Sequence, residues 1–450
     1  MEASSLLLPR TTPPAKAFLA EDEGGGTLTL QGATLTGIKS ILGPAALYSP
    51  YGFEEGGILF ALFMIGATYS LFSWSALNLL EVWGSYRDLD YAGMMSIALG
   101  GGAIGAYIID FVTIAQQCGI CLTYFVFVSK NLQEIAMVLF GFRPMLSFLC
   151  ALQLLWYWPL TTLSSIERFE QTSMIANVLV CFSLTVFVVF AASRIFAGVE
   201  IESAEGESYG RAPLAKHWLF NKTTFYLFVG TSFFMFEGAV ANIITIQNAV
   251  RNDLKPQFPR LFVRIVGGYS LFIAVFGLTN WLAFGDHINI NLTVNLPLGF
   301  WKCLVQLAYS TAVALTFPLQ LFPAIETLMR LVSTARIRGV LKEKCSRSDM
   351  LQRMVDATPD RTIGAAALCT VLCFIAIAAV DHLPGIVSLV GALFGIPYSF
   401  CFPSYIHLKL VPHSKAWVKN VNLFVIISGI SLSCVCSALS IWSSLSGSSR

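Results

Sequence analysis

Charge is scarce in this chain. Asp, Glu, Lys and Arg make up 12% of its 450 residues, against 56% that are hydrophobic, and the net charge is only +2. A soluble core cannot hide that much apolar surface, so the composition excludes an ordinary soluble domain and points to a polytopic membrane protein. No nucleic-acid partner is expected. Also missing are a phosphate-cradling Gly-Lys-Ser or Gly-Lys-Thr loop and a nucleophile elbow, which argues against a pump driven by nucleotide hydrolysis. Only five histidines occur, and none sits deep in an apolar stretch or in a metal-binding constellation. Neither enzyme chemistry nor a metal or cofactor is therefore expected. Of the eleven cysteines, Cys345 alone falls in a loop, on the inner side, so no disulfide framework is implied. The pairs Cys118 and Cys121, Cys369 and Cys373, and Cys434 and Cys436 lack His or carboxylate company and read as small packing residues.

What the chain does have is long apolar segments. About eleven are long enough to cross hydrocarbon roughly 30 Å thick, over 34–50, 56–80, 103–129, 144–163, 172–196, 224–246, 261–284, 300–331, 362–380, 384–407 and 418–441. The expected fold is all-α, with a transmembrane domain over 31–441, a disordered cytosolic tail over 1–30 and a short outer or lumenal tail over 442–450. Within the first tail, Glu2, Leu6 and Leu7 fit an acidic dileucine address for lysosome-like or vacuolar membranes; the plasma membrane is the alternative. The basic loops at 330–361, 251–264 and 409–419 fall on one side if the amino terminus is cytosolic, as the positive-inside rule requires. The sequons at Asn221 and Asn291 then fall on the opposite side, as candidate glycosylation sites.

Two of the segments are interrupted. The first carries Gly43, Pro44 and Pro50 within Ser40 to Pro50, and the sixth carries Glu237-Gly238 after Thr231-Ser232-Phe233-Phe234-Met235-Phe236. Broken spans at matching places in two halves mark the midplane binding site of a transporter, because unwound backbone exposes amides and carbonyls to a solute.

The order of motifs is similar to that of the amino acid/auxin permease family, nearest its proton-coupled amino acid transporter branch. The first segment matches at Lys39, Gly43, Leu47 and Pro50, and the third at Asp110, Gln117, Gly119, Tyr124, Phe127 and Asn131. The sixth matches through Phe236-Glu237-Gly238, Asn248 and Phe258-Pro259, with further agreement at Phe317-Pro318, Gly391, Pro403 and His407-Leu408-Lys409. Ile41 replaces the branch's Asn, Pro44-Ala45 its Thr-Gly and Thr36 its His. Losing that Asn oxygen argues against sodium coupling, and losing the His removes one proton carrier.

The resemblance implies a five-plus-five inverted repeat with a peripheral eleventh helix. The two broken helices would face each other, with Leu42, Gly43, Pro44, Ala45 and Ala46 offering amides to a substrate carboxylate and the carbonyls of Thr231 to Phe234, Ser232 included, accepting its ammonium. Glu237 in an apolar span is either the proton carrier or a structural carboxyl bonding freed amides, and burial favours its neutral form. Asp110 is a second coupling candidate. Phe234 and Phe236 are gate or core rings, Gln117 a site wall or an interhelical partner, and Ser310 and Thr311 a possible ion site or self-satisfied helix hydroxyls. Walls of Ile41, Ala45, Ala46, Phe234 and Gly238 suit a small or neutral amino acid. The expected function is secondary active amino acid transport by alternating access, with protons as coupling ion and lipid as the surroundings. Sodium coupling, facilitated diffusion and an amino acid sensor are the alternatives, and the oligomeric state is open.

Overall fold

The computed structural model describes residues 28–41, 44–86, 89–162, 166–197, 201–202, 208–209, 219–236, 238–297, 299–342 and 360–445. The dileucine address, Leu42, Gly43, Glu237 and Cys345 lie outside the described residues; of Lys39, Pro44 and Gly238 only the backbone is described.

Helix α1 (Leu30–Ile41) leads to a 3₁₀ turn (Pro44–Tyr48) and then to α2 (Ser49–Gly56), where Pro50 sits in the first helical turn. Pro is tolerated there because its missing N–H would have no helical partner anyway. Next come α3 (Ile58–Ser85), the short α4 (Tyr91–Ala98) and α5 (Ala103–Phe140). The Asp90 side chain caps α4 by accepting from the Gly93 amide at 2.7 Å. Helix α6 (Leu146–Thr162) contains Pro159, and α7 (Ile166–Ala197) is followed by strands β1 (Ile201–Glu202) and β2 (Ser208–Tyr209), a small antiparallel ladder that the all-α expectation did not include. Then α8 (Phe225–Phe234) stops at a turn over Met235 and Phe236, and α9 (Gly238–Ala249) resumes. The chain continues through α10 (Phe258–Phe284), α11 (Phe300–Lys342) and α12 (Arg361–Ala379). It ends in α13 (Leu383–Leu410), whose middle is wound as π-helix over Gly391–Gly395 and Pro397–Cys401, and α14 (Ala416–Leu445).

Among the described residues eight helices are long and apolar enough to cross a membrane: α3, α5, α7 and α10 to α14. They meet eight of the eleven expected segments. The other three correspond to α1 with α2, to α6 with its internal proline, and to α8 with α9. Outward faces carry large exposed apolar side chains such as Phe63, Phe111, Leu155, Val178, Leu271, Phe374 and Phe424, as helices facing hydrocarbon require.

Inside, helix packing rests on aromatic stacking and on close backbone crossings. Tyr157 of α6 stacks on Phe317 of α11 with ring centroids 3.8 Å apart, and Phe125 of α5 meets both edge-on. Where α8 crosses α13, a Cβ placed on Gly230 would stand 2.0 Å from the Ser388 carbonyl oxygen, and one on Gly391 would stand 2.0 Å from the Gly230 carbonyl oxygen. Without a hydrophobic driving force between helices in lipid, such small-residue crossings bring the backbones close enough to gain contact energy.

Candidate functional site

The two interrupted segments lie against each other in opposite directions. α1 packs on α9 and α2 packs on α8, so the first half of one segment meets the second half of the other. Both ends are tied by backbone bonds. At one end the Leu28 amide donates to the Ala249 carbonyl at 2.9 Å and the Arg251 amide donates to the Leu28 carbonyl at 3.1 Å, forming a parallel bridge between Leu28 and Val250. At the other, the last carbonyls of α2 would have no helical donors. Asn221 supplies two, from its amide to Gly56 O and from Nδ2 to Glu54 O, each at 3.1 Å, and Thr224 Oγ1 donates to Glu55 O at 2.9 Å.

Between these ties the interruptions meet. The Tyr48 ring from the first lies 5.9 Å from the Phe234 ring of the second. An unpaired carbonyl costs several kcal/mol in an apolar interior, and the second interruption avoids that cost. Tyr269 Oη of α10 donates to Met235 O at 3.0 Å, while the Thr231 and Phe233 carbonyls accept from the Met235 and Phe236 amides. A carbonyl has two lone pairs, so each keeps capacity for a ligand ammonium. Thr231 Oγ1 donates to Leu227 O at 3.0 Å and Ser232 Oγ to Val229 O at 2.7 Å, with Thr68 Oγ1 donating to Ser232 Oγ at 3.4 Å. Ile41 and Ala46 are buried, and Ala45 is half-buried.

The expected aromatic pair separates. Phe234 stands at the junction beside Tyr48, whereas Phe236 is fully buried between Phe72 and Tyr269, at 5.2 and 5.4 Å between centroids. Gln117 accepts from Gln320 Nε2 of α11, the interhelical partnership that was one of its two readings. Asp110 forms an ion pair with Arg330 Nη2 at 2.5 Å, joining α5 to α11. Ser310 and Thr311 do not converge: Ser310 is buried and accepts from Asn131 Nδ2 at 3.1 Å, while Thr311 is exposed on another face of α11. Both sequon asparagines are buried. Asn221 caps α2, and Asn291 Nδ2 donates to Asn131 Oδ1 at 2.7 Å, so a glycan on either would require these bonds to be given up.

Two buried groups escaped the reading of the sequence. Lys302 of α11 pairs with Glu134 of α5 at 3.2 Å with only 2% of its side chain exposed. Glu55 is 2% exposed, on α2, beside the second interrupted segment. Ending the first segment at Pro50 hid it, although a proline followed by apolar residues also marks the first turn of a helix.

The fold resembles that of MhsT, solved in complex with L-phenylalanine, with a TM-score of 0.53 and 14% identity over 93% of this chain and 100% of that one. The chain is 28% identical to Vacuolar amino acid transporter 4 of Saccharomyces cerevisiae over 85% of its own length and 53% of that protein. It is 26% identical to Amino acid transporter ANT1 of Arabidopsis thaliana over 93% of each. It thus spans about half the length of the yeast relative and nearly all of the plant one. Matched from residue 26 to residue 446 by the model of the transmembrane amino acid transporter protein family, the chain belongs to that family.

Proposed function

We propose that the protein is a secondary transporter of small neutral amino acids that works by alternating access and is coupled to protons. The observation that carries this reading is the junction of two oppositely running interrupted segments, with Tyr48 and Phe234 in contact and the Met235 carbonyl of the second interruption bonded to Tyr269 of α10. Such a junction offers amides to a carboxylate and carbonyls to an ammonium without any buried charge of its own. In this reading Leu42 to Ala46 take the carboxylate, Thr231 to Phe234 take the ammonium, and Ile41, Ala45, Ala46, Phe234 and Gly238 leave room for a small side chain. Phe234 is the gate ring.

The eight long helices, the two interrupted segments and α6 make eleven crossings in this reading, with a cytosolic amino terminus. Proton rather than sodium coupling is supported by Ile41 in place of an amide side chain and by the divergence of Ser310 from Thr311. Asp110 is held by Arg330, which leaves Glu237 as the carrier expected from the sequence. The names of the yeast and plant relatives support amino acids as the cargo, and the yeast name supports a vacuolar membrane.

The test is flux in vesicles containing the purified protein alone, with a panel of labelled amino acids and imposed pH or sodium gradients. Accumulation of a small neutral amino acid driven by the pH gradient is expected. No flux of any amino acid, with saturable binding retained, would replace the transporter by a sensor.

A further inference from the structure

Glu54 and Glu55 are adjacent carboxylates on α2 with opposite surroundings. Glu54 is half-buried and accepts from Trp281 Nε1 at 2.9 Å. Both carboxyl oxygens of Glu55 are buried without any hydrogen-bond donor among the described residues. Removing a carboxylate from water without a donor or cation costs several kcal/mol or more, whereas a neutral carboxyl needs only an acceptor for its one hydrogen. Titratable pairs whose environments diverge in this way take different roles.

The nearby groups offer the charged form one hydrogen-bond donor at most. The Thr231 hydroxyl approaches the Glu55 carboxyl, but its single hydrogen is already donated to Leu227 O. While that bond is made, the hydroxyl has no hydrogen left for Glu55. Tyr51 and Glu54 are the titratable neighbours on α2 itself. The packed elements contribute Tyr226 from α8, Tyr69 and Glu81 from α3, and Arg260, Arg264 and Tyr269 from α10. None of these donates to it.

We infer that Glu55 is a proton-binding site of the transport cycle, holding its proton in this conformation and reporting its loss to the second interrupted segment through Thr231. Release converts the carboxyl to a carboxylate and one proton in water. The carboxylate then needs a donor, and the Thr231 hydroxyl supplies one only by leaving Leu227 O, about two turns before the interruption. Proton loss thus unsatisfies a backbone carbonyl of α8 and favours a rearrangement of that half-helix. The side-chain bonds from Asn221 Nδ2 and Thr224 Oγ1 to the α2 carbonyls keep Glu55 in register with α8 as it moves. This inference rests on the transport reading and makes Glu55, on the first interrupted segment, a site that the single coupled proton must occupy in addition to the carrier expected at Glu237.

Two measurements on Glu55→Gln test it. In infrared difference spectra of the purified protein at neutral pH, wild type is expected to show a protonated-carboxyl band that is missing from the variant, which keeps the shape of a neutral side chain. In vesicles with a pH difference of one unit and the membrane potential clamped, wild type should approach about tenfold accumulation for one proton per substrate. The variant should remain at about onefold, yet exchange internal for external substrate. A wild-type spectrum with no band lost in the variant, or a variant with wild-type accumulation and pH profile, overturns the proposal. The infrared result stands without flux, so vesicles in which wild type moves no amino acid would sink the transport reading separately. Glu55→Asp controls for folding: it should retain a carboxyl band and part of the pH dependence, and loss of both in a stably folded variant counts against a proton site.

Discussion

Asp110 shows how a residue singled out in a sequence changes meaning once its partner is seen. A carboxylate near the start of an apolar helix reads as a proton carrier, but its nearest cation, Arg330, is 220 positions away in sequence and no local pattern pairs them. The pair bridges α5 and α11, with 7% of the Asp110 side chain exposed and 32% of that of Arg330. Removing one partner of a fully buried pair costs about 3–5 kcal/mol, and the partial exposure of Arg330 lowers the expected loss to roughly 1–3 kcal/mol. Asp110→Asn should therefore reduce the thermal stability of the purified protein, and adding Arg330→Gln should recover part of the loss, because the unpaired cation is then gone. A double variant as unstable as the sum of the singles would mean that the two groups are not coupled.

At the scale of helices, the long uninterrupted spans were legible because nearly continuous apolar runs of that length have one common explanation, and eight appear close to where hydropathy puts them. The interruptions were legible as breaks but not in their details. Pro50 looked like an end and is a beginning, so Glu54 and Glu55 were left between segments. The antiparallel pairing of α1 with α9 and of α2 with α8 came only through resemblance, since a hydropathy pattern carries no pairing. Helix crossings were not legible either, because a glycine in a span gives no sign of what it touches. Gly230 meets the Ser388 backbone, whereas Gly66 of α3 has nothing within 4 Å of an added Cβ. Gly230→Val should force α8 away from α13, costing about 1–3 kcal/mol or more and abolishing uptake. Gly66→Ala should leave uptake intact and gain up to about 1 kcal/mol of helix propensity. Equal melting temperatures and equal uptake in the two variants would show that the crossing does not constrain the fold.

For the molecule as a whole, the proposed alternating access would require that the halves of the two interrupted segments part on one side while staying closed on the other. In this conformation one end is closed by the Leu28 to Val250 bridge, where the chain leading into α1 lies alongside the chain leaving α9. Neighbouring strands lie about 4.8 Å apart, within the roughly 4.4–6.8 Å between Cα atoms that a disulfide spans. Leu28→Cys with Val250→Cys should therefore cross-link on oxidation. If this bridge opens in each cycle, the oxidised double variant should lose uptake and regain it with reductant, while each single variant transports under both conditions. Mass analysis must confirm the bond, since the native cysteines, of which Cys181 and Cys434 are exposed, are also open to oxidation. Full cross-linking with wild-type uptake would mean that α1 and α9 travel together throughout the cycle, and the moving boundary would then have to lie elsewhere in the bundle.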